Sequence, residues 1–339
     1  MRRVLVIGSG KRVQRNFLPA LHCLRNHFEV HGIHSKTPAN CEKVAAKFGL
    51  TSILDPYTAT LHKVSTVLIS VPPSMLPIIL KKIALIKTDL EIVVDTPLDS
   101  SAKGLQKTLK LFKTVRVAED FVSFTQFNFI RNLINKGCIG ELRKIEMNHY
   151  GFRYHGISLL RSFFDFMIPT SLKVITDADG NSTFNFDFKG VSVMTNEPYD
   201  YDKGSLRLTG DKGVLSIGTG SIDANITPLV DQQGIYGYEY GTETCLLPYR
   251  DELLKFDSKE SFIIEKTHGL IDVLLSLVEN NIQSRYTYHD GVLDQFLSER
   301  CRFNINLVMD VGRAEILNDK FWFKLRLKRN LSKLRSKLP

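Results

Sequence analysis

The apolar positions of this chain change their period part-way along it, and that change predicts two domains. Arg3-Val-Leu-Val-Ile-Gly8 is a short β-branched run that stops at a glycine, the pattern of a parallel strand buried on both faces. Further strands predicted at 28–33, 66–71 and 91–94 are separated by helical stretches, one ending in Phe17-Leu-Pro-Ala-Leu21 and others at 39–48 and 76–86. Strands and helices alternating at these lengths predict βαβ units, and right-handed crossovers join them into one open parallel sheet. From about Gly140 the apolar residues alternate instead. Segments 142–149, 182–188, 190–194, 205–209 and 214–217 read as half-buried strands, the last two joined through Gly210-Asp-Lys-Gly213. Helical spacing returns at 156–166, 267–280 and 289–309. The expected fold class is therefore α/β plus α+β. A Rossmann domain is expected over residues 1–120. A second domain over 121–318 is expected to carry a mainly antiparallel sheet covered by helices, one of which returns to the first domain, and a tail follows over 319–339.

Composition fits that division. With 339 residues, 43% apolar and 24% charged, the chain can bury two cores. No apolar run reaches the roughly 18 residues of a spanning helix, and Met1-Arg2-Arg3 leads into a strand without a signal-peptide plan, so the expected location is the cytoplasm. The five cysteines are scattered and contain no CxxC pair, which predicts reduced thiols.

The formal charge of +9 is concentrated at one end. Residues 320–339 hold eight Lys and Arg and no acid, leaving about +1 for the body, which argues against a nucleic-acid face. Within that tail Leu327, Leu331, Leu334 and Leu338 fall at helical spacing among the cations, after Phe321, Trp322 and Phe323. Such a basic amphipathic helix has three expected fates: peripheral contact with the inner membrane face, docking on its own sheet or another subunit, or a frayed end.

Gly8-Ser9-Gly10 closes the first strand, as a dinucleotide site requires. The first glycine permits a sharp turn, the second lets the backbone approach a pyrophosphate, and the next helix N-terminus favours negative charge. Val13 stands where the third fingerprint glycine falls. An acid at the end of the second strand would bind the ribose hydroxyls of NAD, whereas this chain has Ser35, Lys36 and Thr37 there. Two hydroxyls and a cation suit a 2′-phosphate, with Lys11 and Arg12 as further cations, so NADP(H) is expected over NAD(H).

These motifs resemble the Gfo/Idh/MocA family, named for glucose–fructose oxidoreductase and inositol dehydrogenase. The likeness runs over roughly residues 1–310 and is carried by the Gly8–Leu21 stretch, Ile69-Ser-Val-Pro-Pro73, Val93-Val-Asp-Thr-Pro-Leu98, Leu133–Leu142 and Leu208–Leu215. It implies a nucleotide cofactor lined also by Val71, Pro72, Pro73, Asp95, Thr96 and Pro97, a small-molecule substrate, and a homo-oligomer. Family members carry Glu-Lys-Pro where this chain has Asp95-Thr96-Pro97, so the lysine that assists proton transfer is replaced by Thr96. A second family signature, an aspartate four residues before a histidine, is kept only as His155, because Gly151 holds the aspartate position.

Hydride transfer to a carbonyl needs a proton source, and histidine is the side chain matched to neutral pH. His155 is the expected general acid/base, with Thr96 orienting cofactor or substrate and Tyr154 as a second donor. Arg153, Arg161 and Tyr288 are candidate substrate contacts. The histidines and cysteines show no metal-ligand spacing. The resemblance implies reduction or oxidation of a sugar, nucleotide-sugar or similar carbonyl or hydroxyl compound. Two other readings stay open: an imine reductase or non-redox enzyme that keeps the nucleotide, and a catalytically silent nucleotide-binding sensor or scaffold.

Overall fold

The first strand, β1 (Arg2–Ile7), is fully enclosed from Val4 to Val6, and its neighbours pair with it in parallel. The computed structural model describes residues 1–98, 105–200, 202–218, 223–256, 260–279, 286–302 and 307–308. The expected tail helix and the end of the last predicted helix lie outside them.

β2 (Phe28–His34), β3 (Thr66–Ile69), β4 (Glu91–Asp95) and β5 (Thr114–Ala118) complete a parallel sheet of order β2-β1-β3-β4-β5. A parallel bridge between Ile33 and Ser52 adds one residue of a further strand outside β2. Helices α1 (Leu18–Cys23), α2 (Pro38–Phe48), α3 (Leu76–Ala84) and α4 (Leu105–Leu109) connect the strands. The order reverses between β1 and β3, and in sheets of this kind ligands bind outside the carboxyl ends of the strands at that switch point. β5 escapes the periodicity analysis because Arg116 interrupts its apolar run; its guanidinium reaches the Ser276 hydroxyl at 3.1 Å.

The second domain opens with α5 (Thr125–Asn135) and β6 (Leu142–Asn148), then α6 (Arg153–Ser162). There follow β7 (Ser171–Thr176), β8 (Ser182–Phe188), β9 (Val191–Glu197), β10 (Ser205–Gly210) and β11 (Val214–Ile217). These strands and β15 (Leu307–Val308) form a seven-stranded sheet of order β11-β10-β6-β9-β8-β7-β15. It is antiparallel except where β6 runs parallel to β9. The three strands β12 (Thr227–Asp231), β13 (Gly234–Tyr240) and β14 (Glu243–Leu246) make a small separate sheet. That sheet and β7 were not legible in the alternation.

Three helices remain, α7 (Arg250–Leu253), α8 (Ser261–Leu275) and α9 (Tyr288–Arg302). α8 is the returning helix. Its Leu270, Ile271, Val273 and Leu274 join the core beneath β1, and the Asn16 amide donates to Thr267 Oγ1 at 2.9 Å. Gly269 permits this docking, since a Cβ there would lie 2.2 Å from the Asp120 carbonyl oxygen. α6 and α9 are bound to each other by Arg161, which is fully buried and paired with Asp294 at 2.6 Å and Asp290 at 3.1 Å.

Candidate active site

The carboxyl ends of β1, β4 and β5 converge with the start of α6, and most of the chemistry lies there. Gly8 has φ +128°, and a Cβ on it would sit 2.1 Å from the Ser70 carbonyl oxygen; only glycine closes this turn. Nothing lies within 4 Å of a Cβ built on Gly10, so the backbone there faces open space. The Ser9 carbonyl is tied by the Gln14 amide at 2.9 Å, which stiffens the turn. The helix that follows contains a π-turn over Val13–Phe17. An open glycine backbone at a helix N-terminus fits a dinucleotide pyrophosphate.

Two members of that motif behave differently from expectation. Val13 is completely buried in the core, so its side chain is unavailable to a cofactor and only its backbone faces the turn. Arg12 does not reach outward to a phosphate. It crosses the strand ends to pair with Asp120 at 2.6 Å and Asp95 at 3.4 Å, because two carboxylates placed at low solvent exposure need a compensating cation. Burial would lower the Arg12 pKa, but the two aspartates outweigh it and hold the charge firmly. Among the described residues its buried Nη1 has no hydrogen-bond partner, leaving one donor of the guanidinium unused.

Asp95 is held from three directions: by the Ser70 hydroxyl at 2.7 Å, the Thr96 amide at 3.0 Å and Arg12. The Thr96–Pro97 peptide is cis. The Thr96 hydroxyl donates to the Ala118 carbonyl at 3.4 Å, a long bond that ties it to β5. Val71, Pro72 and Pro73 follow β3 on the same edge, the two prolines exposed. Ser35 donates to the Thr37 carbonyl at 3.0 Å, shaping the loop after β2, where Lys36 and Thr37 are exposed; Lys11, in the glycine turn, is exposed as well.

His155 lies in the first turn of α6, and its Nδ1 meets both oxygens of Glu119 at 2.8 and 2.9 Å. Glu119, immediately after β5, is entirely buried. Burial alone would push the imidazole pKa down, but the charge and hydrogen bonds of Glu119, with Asp120 behind it, raise it against the opposing Lys266. A carboxylate on Nδ1 fixes the tautomer and leaves Nε2 to exchange a proton. Sequence reasoning missed Glu119. The available signal was position, two acids directly after a strand, but that strand itself went unrecognised.

Tyr154 is not a second donor at this site. Its hydroxyl is buried 2.9 Å from that of Tyr286, which in turn donates to Asp294 at 2.8 Å, and burial drives the phenol pKa well up. Arg161 belongs to the same buried network and is unavailable to substrate. Arg153 is engaged by the Glu197 carboxylate through Nε at 2.9 Å. Tyr288 is half-buried, with its ring centroid 4.0 Å from that of His289. A Cβ on Gly151 would carry ordinary contact with Phe121 at 3.4 Å and a tighter one with Gly156 at 3.1 Å, so the aspartate of the family signature has little room here.

Residues 2–119 match the family described as oxidoreductase family, NAD-binding Rossmann fold (GFO_IDH_MocA). The N-terminal domain is thus similar to the nucleotide-binding domain of this oxidoreductase family. Solved structures similar over most of the chain extend the likeness of fold into the second domain. An oxidoreductase from Thermotoga maritima is 17% identical, with 93% of this chain and 99% of that one covered and a TM-score of 0.65. A putative myo-inositol dehydrogenase from Sinorhizobium meliloti is 15% identical, covering 91% and 100% at a TM-score of 0.62. The WlbA dehydrogenase from Bordetella pertussis, solved with NADH and UDP-GlcNAcA, is 13% identical, covering 92% and 98% at 0.65. No curated protein matches by sequence. Among the described residues no helix is long and apolar enough to cross a membrane, and no group of three or more His, Cys, Asp or Glu is placed to hold a metal ion.

Proposed function

We propose that the protein is an NADP(H)-dependent oxidoreductase that interconverts a small carbonyl compound and its alcohol, with His155 as general acid/base. The observation that carries this reading is the His155–Glu119 pair at the carboxyl edge of a nucleotide-type sheet. The nicotinamide, when bound, supplies or accepts the hydride. Everything else falls to the chain. Ser9 and Gly10 offer backbone amides at the turn, the Gly8 amide being bonded to the His34 carbonyl at 2.8 Å, and the buried Arg12 Nη1 is a donor suited to a cofactor oxygen. Ser35, Lys36 and Thr37 supply two hydroxyls and a cation for a 2′-phosphate, with no carboxylate among them to repel it.

In the reducing direction, a protonated His155 gives a proton from Nε2 to the carbonyl oxygen as it becomes an alkoxide, and Glu119 stabilises the imidazolium beforehand. In the oxidising direction the neutral ring takes the alcohol proton. Thr96 replaces a proton-active lysine with a hydroxyl already bonded to Ala118, so the reaction depends on His155 alone at this edge. The structural relatives include dehydrogenases of an inositol and of a nucleotide-sugar, which supports a polar carbon substrate with a hydroxyl or carbonyl group.

The test is NADPH consumption at 340 nm with a panel of sugars, inosones and nucleotide-sugars, in wild type and His155→Ala. Turnover that falls by about a hundredfold or more in the variant supports the assignment. Undiminished turnover in His155→Ala refutes it, and NADH binding tighter than NADPH refutes the cofactor preference.

A further inference from the structure

A cavity of about 360 Å³ opens in the second domain between α8, the Phe121–Phe124 turn, the ends of β6 and β11, and the small sheet. It adjoins the dyad through Phe121, whose ring lines it and also stands 6.0 Å from the His155 ring. Its wall is chemically one-sided. Among the described residues six aromatic side chains line it, including Phe121, Phe124, Tyr150, Tyr238 and Phe262, and no Lys or Arg does.

Glu265 of α8 supplies a carboxylate to this aromatic wall and is only 3% exposed. Its Oε2 accepts the Thr125 amide at 2.7 Å, whereas Oε1 has no hydrogen-bond partner among the described residues. A buried unpaired acceptor of this kind costs stability unless something fills the need. Lys266 does not fill it. That side chain rests on the Phe262 ring at 5.7 Å, outside the lining. Asp200 is also among the lining residues, with Lys203 Nζ at 3.8 Å from its carboxylate.

A carboxylate within an aromatic enclosure is complementary to an organic cation. The ring faces attract the charge, and the acid accepts its N–H groups. We propose that this cavity binds the primary ammonium group of a small amine, with Glu265 Oε1 as its counter-ion. The phenol oxygens of Tyr150 and Tyr238 keep lone pairs as further acceptors, the Tyr150 hydroxyl donating to Gln126 at 3.2 Å and the Tyr238 hydroxyl facing the Glu265 carboxylate. Burial pushes the Glu265 carboxyl pKa up against the pull of Tyr238 and Thr125, and a cation beside it favours the charged form. Naming this amine as the substrate rests on the oxidoreductase reading; its binding does not.

The experiment is calorimetric titration of the nucleotide-free full-length chain with benzylamine and with its neutral near-isostere, benzyl alcohol. The amine is expected to bind about tenfold or more tightly than the alcohol. In Glu265→Gln the preference is expected to disappear while NADPH binding and the thermal transition remain. Tyr238→Phe, which keeps the ring and removes one acceptor, is expected to weaken the amine about threefold and serves should the glutamine variant fail to fold. The proposal is overturned by equal or tighter binding of the alcohol, by no binding of the amine, by a preference that survives in Glu265→Gln, or by an unchanged amine affinity in Tyr238→Phe. Because nucleotide is absent from the amine and alcohol titrations, none of the outcomes that overturn the proposal bears on whether the enzyme transfers hydride.

Discussion

His155 Nδ1 lies 2.8 and 2.9 Å from the two oxygens of Glu119, joining the first turn of α6 to the end of β5. The imidazole is 23% exposed and the carboxylate fully enclosed, so the pair couples a proton-exchanging ring to a charge that water does not screen. Its consequences extend to pH behaviour and to stability.

Glu119→Gln should lower the His155 pKa. The imidazole is raised in the folded protein, since Glu119 outweighs the downward push of burial. Carbonyl reduction needs the protonated ring, so the basic limb of the kcat/KM profile should move to lower pH in the variant. A histidine raised above its unfolded value of about 6.5 contributes stability that is full below that pH and fades as pH rises through the folded value. Unfolding midpoints of wild type and variant should therefore differ most at acid pH and converge as the pH rises. An unchanged basic limb would show that another group supplies the proton.

Arg12→Met should destabilise the protein by about 2–3 kcal/mol. Removing one member of a buried ion pair costs about 3–5 kcal/mol, and the residual 18% exposure of Arg12 reduces that. The variant should also bind NADPH more weakly, since the unpartnered Nη1 donor is lost with the charge. Chemical denaturation and fluorescence titration measure the two effects separately. Asp120→Asn, which leaves Arg12 facing Asp95, should have the smaller stability cost.

Lys36→Ala should weaken NADPH by about tenfold and leave NADH nearly unaltered, because an exposed cation contributes to a 2′-phosphate and to little else there. The ratio of the two dissociation constants is the quantity to follow. Equal weakening of both nucleotides would mean that Lys36 acts on the loop and not on the phosphate.

Arg161→Met should cost about 3–5 kcal/mol, since it strands Asp290 and Asp294 in the interface of α6 and α9. Burial already raises the Asp294 pKa to about 6 despite the arginine, so the variant should regain part of its stability as pH falls and Asp294 takes up a proton. A denaturation series at several pH values reads this directly.

Much of the first domain was visible in the chain because β1, β3 and β4 carry buried apolar runs, while β2, interrupted by Glu29 and His31, keeps Phe28, Val30 and Ile33 between two helical stretches. β5 is the exception, since Arg116 is carried in it by the Ser276 hydroxyl, a partner 160 residues away. In the second domain the alternating strands and helices α6, α8 and α9 were recognisable, with boundaries shifted by up to six residues where the structure describes them, whereas α5 was not. β7 and the small sheet were not, because their mixed polar residues face partly into solvent. For the site, His155 and the glycine turn could be singled out, whereas Tyr154 and Arg161 were assigned to the wrong surroundings. Nothing in a helix pattern tells which way its first turn will face.

The sequence by itself determined the alternation of strands and helices, the Gly8 turn, the absence of an acid in the loop after β2 and the replacement of a lysine by Thr96. These are local properties, set by side-chain period, backbone freedom and residue type. Tertiary structure decided which charges meet. Glu119 reaches His155 across 36 residues, and Arg12 turns inward to Asp95 and Asp120 when its position along the chain pointed to a phosphate. Such pairings follow from how α6 and α8 dock on the strand ends, where burial obliges each charge to find a partner, and no local pattern encodes that choice.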